Sequence, residues 1–320
     1  MTEIEQIKSR LREIDLERNE LLRKLNDLKN QQEKNPVEIL GTHIFDKVPD
    51  TPEEKVNLFL RLFRCREDVY PRRWVNNKTN KSGYSPVCIY EWDREFCRKG
   101  TVKCSACQNQ NYAPLNEKAV TEHLLGKETI GTYAIKPNDT CMFLAADFDK
   151  SSWKEDVLAY KHAAADLGVA VSIEISRSGN GAHAWIFFTE PVSARVARQL
   201  GSIILSNASS DHATLSLDSY DRFFPNQDYI PNGGLGNLIA LPLQKIPRDE
   251  GKSVFVNNNF DAYENQWEYL SKISALSKFD IEQVVQSILS DIPAKNFKVV
   301  VASIFKHIFF LHPLFFFYLM

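Results

Sequence analysis

The sequence predicts a mixed α/β domain of the α+β kind, on three observations. From Thr129 onward, short apolar runs alternate with helical stretches. One run, Phe143 to Asp149, reads as an apolar strand ending in two carboxylates one residue apart, Asp147 and Asp149. Another begins at His183, directly after the turn Ser178-Gly179-Asn180-Gly181.

Taken in order, residues 1–35 are dense in Glu, Lys, Arg and Leu, with apolar residues at Ile4, Ile7, Leu11, Ile14, Leu21, Leu25 and Leu28 and Arg18 in one core slot. This heptad pattern predicts a coiled-coil helix through which the chain self-associates, the alternative being a helix packed on its own domain. The polar stretch Asn30 to Pro36 ends it, and residues 36–50 read as a linker. A helix is predicted over Pro52–Phe63, with Thr51 as N-cap and Glu53 and Glu54 in its first turn. The segment Arg64 to Gly83 interleaves cations and rings, and with its neighbour it carries Tyr70, Arg72, Arg73, Trp74, Lys78, Lys81 and Tyr84. Such a segment can follow a phosphate backbone and stack bases, or be an ordinary solvated loop.

Six cysteines in a chain of 320 residues do not make a disulfide scaffold. Four of them, Cys88, Cys97, Cys104 and Cys107, are separated by eight, six and two residues, and the last pair forms Cys-Ser-Ala-Cys. Thiolates so clustered in a loop, residues 86–110, predict a structural Zn²⁺ site, with redox dithiol chemistry as the lesser reading. Cys65 and Cys141 sit in apolar surroundings and are expected to be buried thiols.

The α/β pattern then predicts a strand near Cys141–Ala146, a helix near Lys154–Leu167, and strands near Ala170–Ile175 and His183–Phe188. A helix near Ala194–Ser206, a strand near Asn237–Leu241, and helices near Gln266–Leu276 and Ile281–Leu289 follow. Residues 276–320 read as a helical, apolar tail. Its stretch Val299–Met320 is interrupted by Lys306, His307, His312 and Pro313, so no membrane anchor is expected, and a packed helix or a truncated end accounts for it better. The N-terminus has no charged-then-apolar leader, which points to a cytoplasmic protein. The net charge of −2 gives no global basic field, although a local groove can still be basic.

Strand side chains alternate faces, so Asp147 and Asp149 project together while Phe148 turns to the core. Carboxylates that close repel unless cations neutralise them, and hard oxygen ligands suit Mg²⁺ or Mn²⁺. The turn Ser178–Gly181 can present backbone N–H groups to an anion. Metal ligands beside a phosphate cradle suggest phosphoryl or nucleotidyl transfer.

In this order, the motifs resemble the archaeo-eukaryotic primase superfamily, and more narrowly the primase-polymerase domain of the TOTE conflict systems. The blocks that carry the resemblance are Arg66-Glu67-Asp68-Val69-Tyr70, Ser82-Gly83-Tyr84-Ser85-Pro86, Lys103 to Cys107, Leu144 to Asp149, Arg177 to Trp185, and Asp218 to Gln244. They lie within residues 58–275, and the domain as a whole is assigned to 51–275.

The resemblance implies an RRM-like catalytic sheet joined to a second α/β unit, with the active site in the cleft. It implies that Asp147 and Asp149 bind two divalent metals and that His183 contacts the triphosphate of the incoming nucleotide. The third acidic residue follows a hydrophobic or aromatic residue and precedes a strand ending in proline; Asp221 fits best, with Asp218 and Asp228 as alternatives. Arg177, Ser178, Gly179, Asn180 and Gly181 are the nucleotide-binding candidates, and Arg222 and Lys245 are weaker ones.

The expected activity is template-dependent joining of NTPs or dNTPs with Mg²⁺ or Mn²⁺, on single-stranded or primed DNA or RNA, in a setting of defence against mobile elements. Members of the family usually continue into helicase and nuclease regions, which makes such proteins expected partners. The G-x-x-x-x-G-K-[ST] pattern is absent from this sequence, so no ATPase is assigned. The competing reading is a catalytically idle, zinc-containing nucleic-acid-binding fragment. A replication-initiator nuclease needs paired histidines, and Trp185 stands where the second would be.

Overall fold

The computed structural model describes residues 38–45, 47–211 and 217–290, together with Ile7, Arg10, Ile14, Glu17, Arg18, Leu21 and Lys24. It divides into two units, Met1–Glu38 and Ile39–Met320. In the first, the seven described positions from Ile7 to Lys24 are helical, Glu38 is not, and Ile7, Ile14 and Leu21, spaced by heptads, are exposed. Ile4, Leu11, Leu25 and Leu28, the break at Asn30–Pro36 and the apolar tail Val299–Met320 lie outside the described residues.

The second unit begins with β1 (Thr42–His43), α1 (Pro52–Phe63) and the hairpin β2 (Pro71–Asn76) and β3 (Lys81–Pro86). A cysteine-bearing loop with one 3₁₀ turn (Cys104–Ala106) leads to α2 (Glu117–Leu124), β4 (Gly131–Tyr133), β5 (Thr140–Asp149) and α3 (Trp153–Ala165). Then come β6 (Ser172–Ile175), β7 (Gly181–Ser193), α4 (Ala194–Asp211), β8 (Tyr220–Phe224) and β9 (Leu238–Ala240). The last elements are α5 (Lys245–Asp249), β10 (Phe255–Val256), α6 (Gln266–Ser271), β11 (Ser274–Leu276) and α7 (Lys278–Ser290).

Seven strands form one mixed sheet in the order β1-β11-β7-β5-β8, with β6 pairing both β7 and β10. The β11–β7 pair is parallel and the other pairs are antiparallel. β5 is buried along most of its length and lies between β7 and β8. Alternation divides it: Leu144, Ala146 and Phe148 face α3 and α4, where Phe148 meets Tyr160 at 5.6 Å and Leu144 lies against Gly201. Phe143, Ala145, Asp147 and Asp149 face the other way, and cross-strand pairing puts Phe187, Trp185 and His183 on that same face. Phe63 of α1 covers the apolar part, meeting Trp185 edge-on at 5.2 Å. The α1 start is held as predicted: Thr51 Oγ1 accepts the Glu54 N–H at 3.2 Å, and the Glu54 carboxylate accepts the Thr51 N–H at 3.3 Å.

Two smaller ladders, β2–β3 and β4–β9, stand apart from this sheet. The strand expected near Asn237–Leu241 is therefore present but pairs with β4 rather than extending the main sheet. The basic-aromatic segment forms the β2–β3 hairpin. One expectation is corrected: Gln266–Leu276 is a short helix followed by a strand, because Ala275 and Leu276 pair with Phe187 and Phe188 of β7. A tertiary strand partner overrides helical periodicity there.

Candidate active site

The acidic strand end is built as the alternation requires. Asp147 opposes His183 on β7 and Arg222 on β8, and Asp149 opposes Gly181. On β8 the register slips between Arg222 and Tyr220, so Asp221 is the extra residue of a bulge. Tyr220 then packs against Phe148 at 6.0 Å, while Asp221 stands close enough to raise the pKa of Asp147. Burial is the largest cause of that rise, and His183 and Arg222 oppose it while Asp149 adds to it. The Asp149 N–H donates to Ser219 O at 2.8 Å, and Ser219 is held from below by the buried Asp156, which accepts from its Oγ at 2.6 Å. The ends of β5 and β8 are thus tied together under the carboxylates.

The three alternatives for the third acid differ in their commitments. The Asp221 carboxylate accepts from Arg222 Nε at 2.6 Å. Asp228 is paired with the buried Arg198 of α4. Asp218 is exposed and offers its backbone oxygen to Lys150 Nζ at 2.8 Å. Among the described residues, no three His, Cys, Asp or Glu side chains converge into a finished ligand set. The donor chemistry of Asp147, Asp149 and Asp221 nevertheless fits a hard divalent cation: a cation would relieve the mutual repulsion that Asp147 feels.

His183 is buried, with Nε2 at 3.7 Å from Asp147 Oδ1. Its Nδ1 lies 2.7 Å from Oε2 of Glu174, a residue 1% exposed. Burial alone pulls the His183 pKa down, but the charge and hydrogen bond of Glu174 and the charge of Asp147 outweigh it, and the net direction is up. Glu174 is a site residue that sequence reasoning missed. Its one signal is a carboxylate between two isoleucines of a buried strand, Ser172–Ile175.

The glycine turn joins β6 to β7, and part of its polar backbone is spent on itself. Gly179 N–H donates to Ser176 O at 2.9 Å, Ser176 N–H to Gly181 O at 2.9 Å, and Asn180 N–H to Ser178 Oγ at 3.2 Å. The expected cradle of amides is therefore reduced, and side-chain cations carry more of any anion binding. Gly179 has φ +79°, and a Cβ there would stand 3.0–3.3 Å from side-chain carbons of Lys252, which crosses the turn. No sequence motif marks Lys252, which pairs with Glu250 at 2.9 Å; Lys245 pairs with Asp249 at 2.5 Å and packs beside Gly126. Arg177 stands near Tyr84 of the hairpin. Burial raises the Tyr84 pKa, with Arg177 and Arg73 opposing, and its hydroxyl has no well-aligned partner.

Cys88, Cys97, Cys104 and Cys107 line one pocket, together with Tyr90, Glu91 and Lys99. All are free thiols, and the Cys107 N–H closes the 3₁₀ turn on Cys104 O at 3.2 Å. Their soft donor chemistry fits zinc, although among the described residues no three of these thiols converge into a finished ligand set. Cys65 and Cys141 are buried as expected, and burial pushes the Cys65 thiol up to about 12.

A family model described as the archaeo-eukaryotic primase domain of the TOTE conflict system matches residues 54–284. Among curated proteins none matches the sequence. Among solved structures, the polymerase domain of Mycobacterium tuberculosis ligase D in complex with DNA is 13% identical with a TM-score of 0.36, covering 78% of this chain and 92% of that one. No described helix is long and apolar enough to cross a membrane.

Proposed function

The chain belongs to the archaeo-eukaryotic primase domain family of the TOTE conflict systems, and from that premise we propose that it is a primase-polymerase type nucleotidyltransferase that joins nucleotides on a nucleic-acid template. The observation that supports this best is the grouping of Asp147 and Asp149 with His183 and Arg222 across three adjacent strands, with Asp221 at the bulge beside them. A pure binding module has no need of paired carboxylates on one face.

In this reading Asp147, Asp149 and Asp221 hold Mg²⁺ or Mn²⁺. Bound there, the ions would supply a lowered pKa at the attacking 3′-hydroxyl and charge neutralisation at the leaving pyrophosphate. The protein's own groups bind and orient. His183 contacts the triphosphate, and Arg177, Ser178, Asn180 and Lys252 surround its path along the turn. Arg222 balances the carboxylates until the metals do so. The hairpin cations Arg73, Lys78 and Lys81 are assigned to the template backbone, and the zinc loop braces them. A role in defence follows from the family alone.

The test is a primer-extension and primer-synthesis assay on single-stranded template with Mn²⁺ and nucleoside triphosphates. Wild type is expected to give product, and Asp147→Ala/Asp149→Ala to lose at least roughly 10²-fold, the scale of removing charge stabilisation from a transition state. Absence of product from the folded wild type, or equal activity in the double variant, would return the chain to a non-catalytic nucleic-acid-binding role.

A further inference from the structure

We propose that Glu174 is the positioning residue of this site: its buried carboxylate takes the Nδ1–H of His183 and so aims Nε2 into the cleft beside Asp147. The proposal rests on the reading that His183 contacts the nucleotide, and it adds the group through which that contact is oriented.

Glu174 and His183 are direct cross-strand partners on β6 and β7, so their side chains leave the sheet on the same face. The 2.7 Å contact is a short, charge-assisted one. Oε2 also accepts from Trp185 Nε1 at 3.2 Å, and Oε1 lies 3.4 Å from Ser253 Oγ. Trp185 is itself immobilised, wholly buried against Phe63 and Phe143. The carboxylate is therefore held by an indole that packing locks in place, and it fixes the imidazole in its turn.

Taking a carboxylate out of water is costly, and apolar residues of similar volume serve a core at least as well. Stability alone gives no reason for this carboxylate, whereas orientation does. With Nδ1 engaged, the ring has one tautomer and one direction. Nε2 is 3.7 Å from Asp147 Oδ1, beyond hydrogen-bonding distance, and so retains its capacity for a ligand atom.

Two measurements on the full chain test this. Nitrogen-15 NMR of wild type should find His183 protonated at Nδ1, and Glu174→Gln should lose that preference while remaining folded by thermal unfolding. Titration with deoxyadenosine triphosphate and Mn²⁺ should show Glu174→Gln binding about 10–100-fold more weakly, the range for residues that orient a ligating histidine. In a His183→Ala background the same substitution should cost less than about twofold, because Glu174 acts through His183. A bare Nδ1 in wild type overturns the proposal, and so does an equal loss with and without His183. If wild type binds no nucleotide, the functional reading fails, and the NMR result still decides the role of Glu174. Should Glu174→Gln not fold, Glu174→Asp, which keeps the charge but withdraws it from Nδ1, is measured in the same two ways.

Discussion

Asp218, Asp221 and Asp228 carry the same carboxylate under different obligations, and this makes them separable. Asp221 sits at the β8 bulge beside Asp147 and pairs with its neighbour Arg222. Its conversion to Asn should lower nucleotide incorporation by roughly 10²-fold with little change in unfolding temperature. Asp218→Asn should stay within about threefold of wild type, as befits an exposed side chain outside the cluster. Asp228→Asn leaves Arg198 buried without its counter-charge and should cost about 3 kcal/mol of stability, read as a lower unfolding midpoint. If Asp228→Asn abolishes incorporation in a fully stable protein while Asp221→Asn does not, the assignment of the third acid is wrong. The Asp-x-Asp pair was legible in the sequence because strand alternation is a local rule. Glu174 was not, because its partner lies nine residues away across a turn and only the β6–β7 register brings them together. The same holds for Lys252, which reaches Gly179 from a distant loop.

At the scale of elements, α2 is joined to the β4–β9 ladder by one buried histidine. His123 Nδ1 accepts the Ile130 N–H at 3.2 Å, so Nε2 carries the proton and donates to Pro242 O at 2.9 Å. Burial lowers its pKa to about 4, against the weaker raising effect of the Pro242 bond. The unfolded chain therefore binds this proton first as pH falls below 6.5, the unperturbed value. The stability linked to neutral His123 is fully present above that value and is lost as pH falls towards about 4. The loss amounts to about 3 kcal/mol at most. Denaturant unfolding at about pH 7 and about pH 4.5 should show a steeper loss in wild type than in His123→Leu, which has nothing there to protonate. Equal slopes would mean that the histidine does not sense the acid range. Where an element was well read, as for α1, capping and periodicity are contained in the segment itself. Where one was misread, as at Ser274–Leu276, a strand exists only because β7 offers it a parallel partner. The hairpin was illegible for a related reason: its residues contact each other and β4 rather than a continuous apolar face.

Across the whole molecule, the cysteine loop and the hairpin are electrostatically one assembly. Arg72 of β2 reaches Glu91 of the loop at 2.6 Å and Glu128, before β4, at 2.9 Å, while Lys99 pairs with Glu91 from the other side. Such partly exposed pairs contribute little stability singly, but they transmit position. A metal held by Cys88, Cys97, Cys104 and Cys107 would fix Glu91 and through Arg72 the strand that presents Arg73 beside Tyr84. Elemental analysis should therefore find about one zinc per chain, and Cys104→Ser should lower that content. Chelation should speed amide exchange in residues 71–76 as well as in the loop, and should weaken template binding more than nucleotide binding. Exchange that changes in the loop alone would confine the metal to local bracing, and folded protein free of zinc would remove the site altogether.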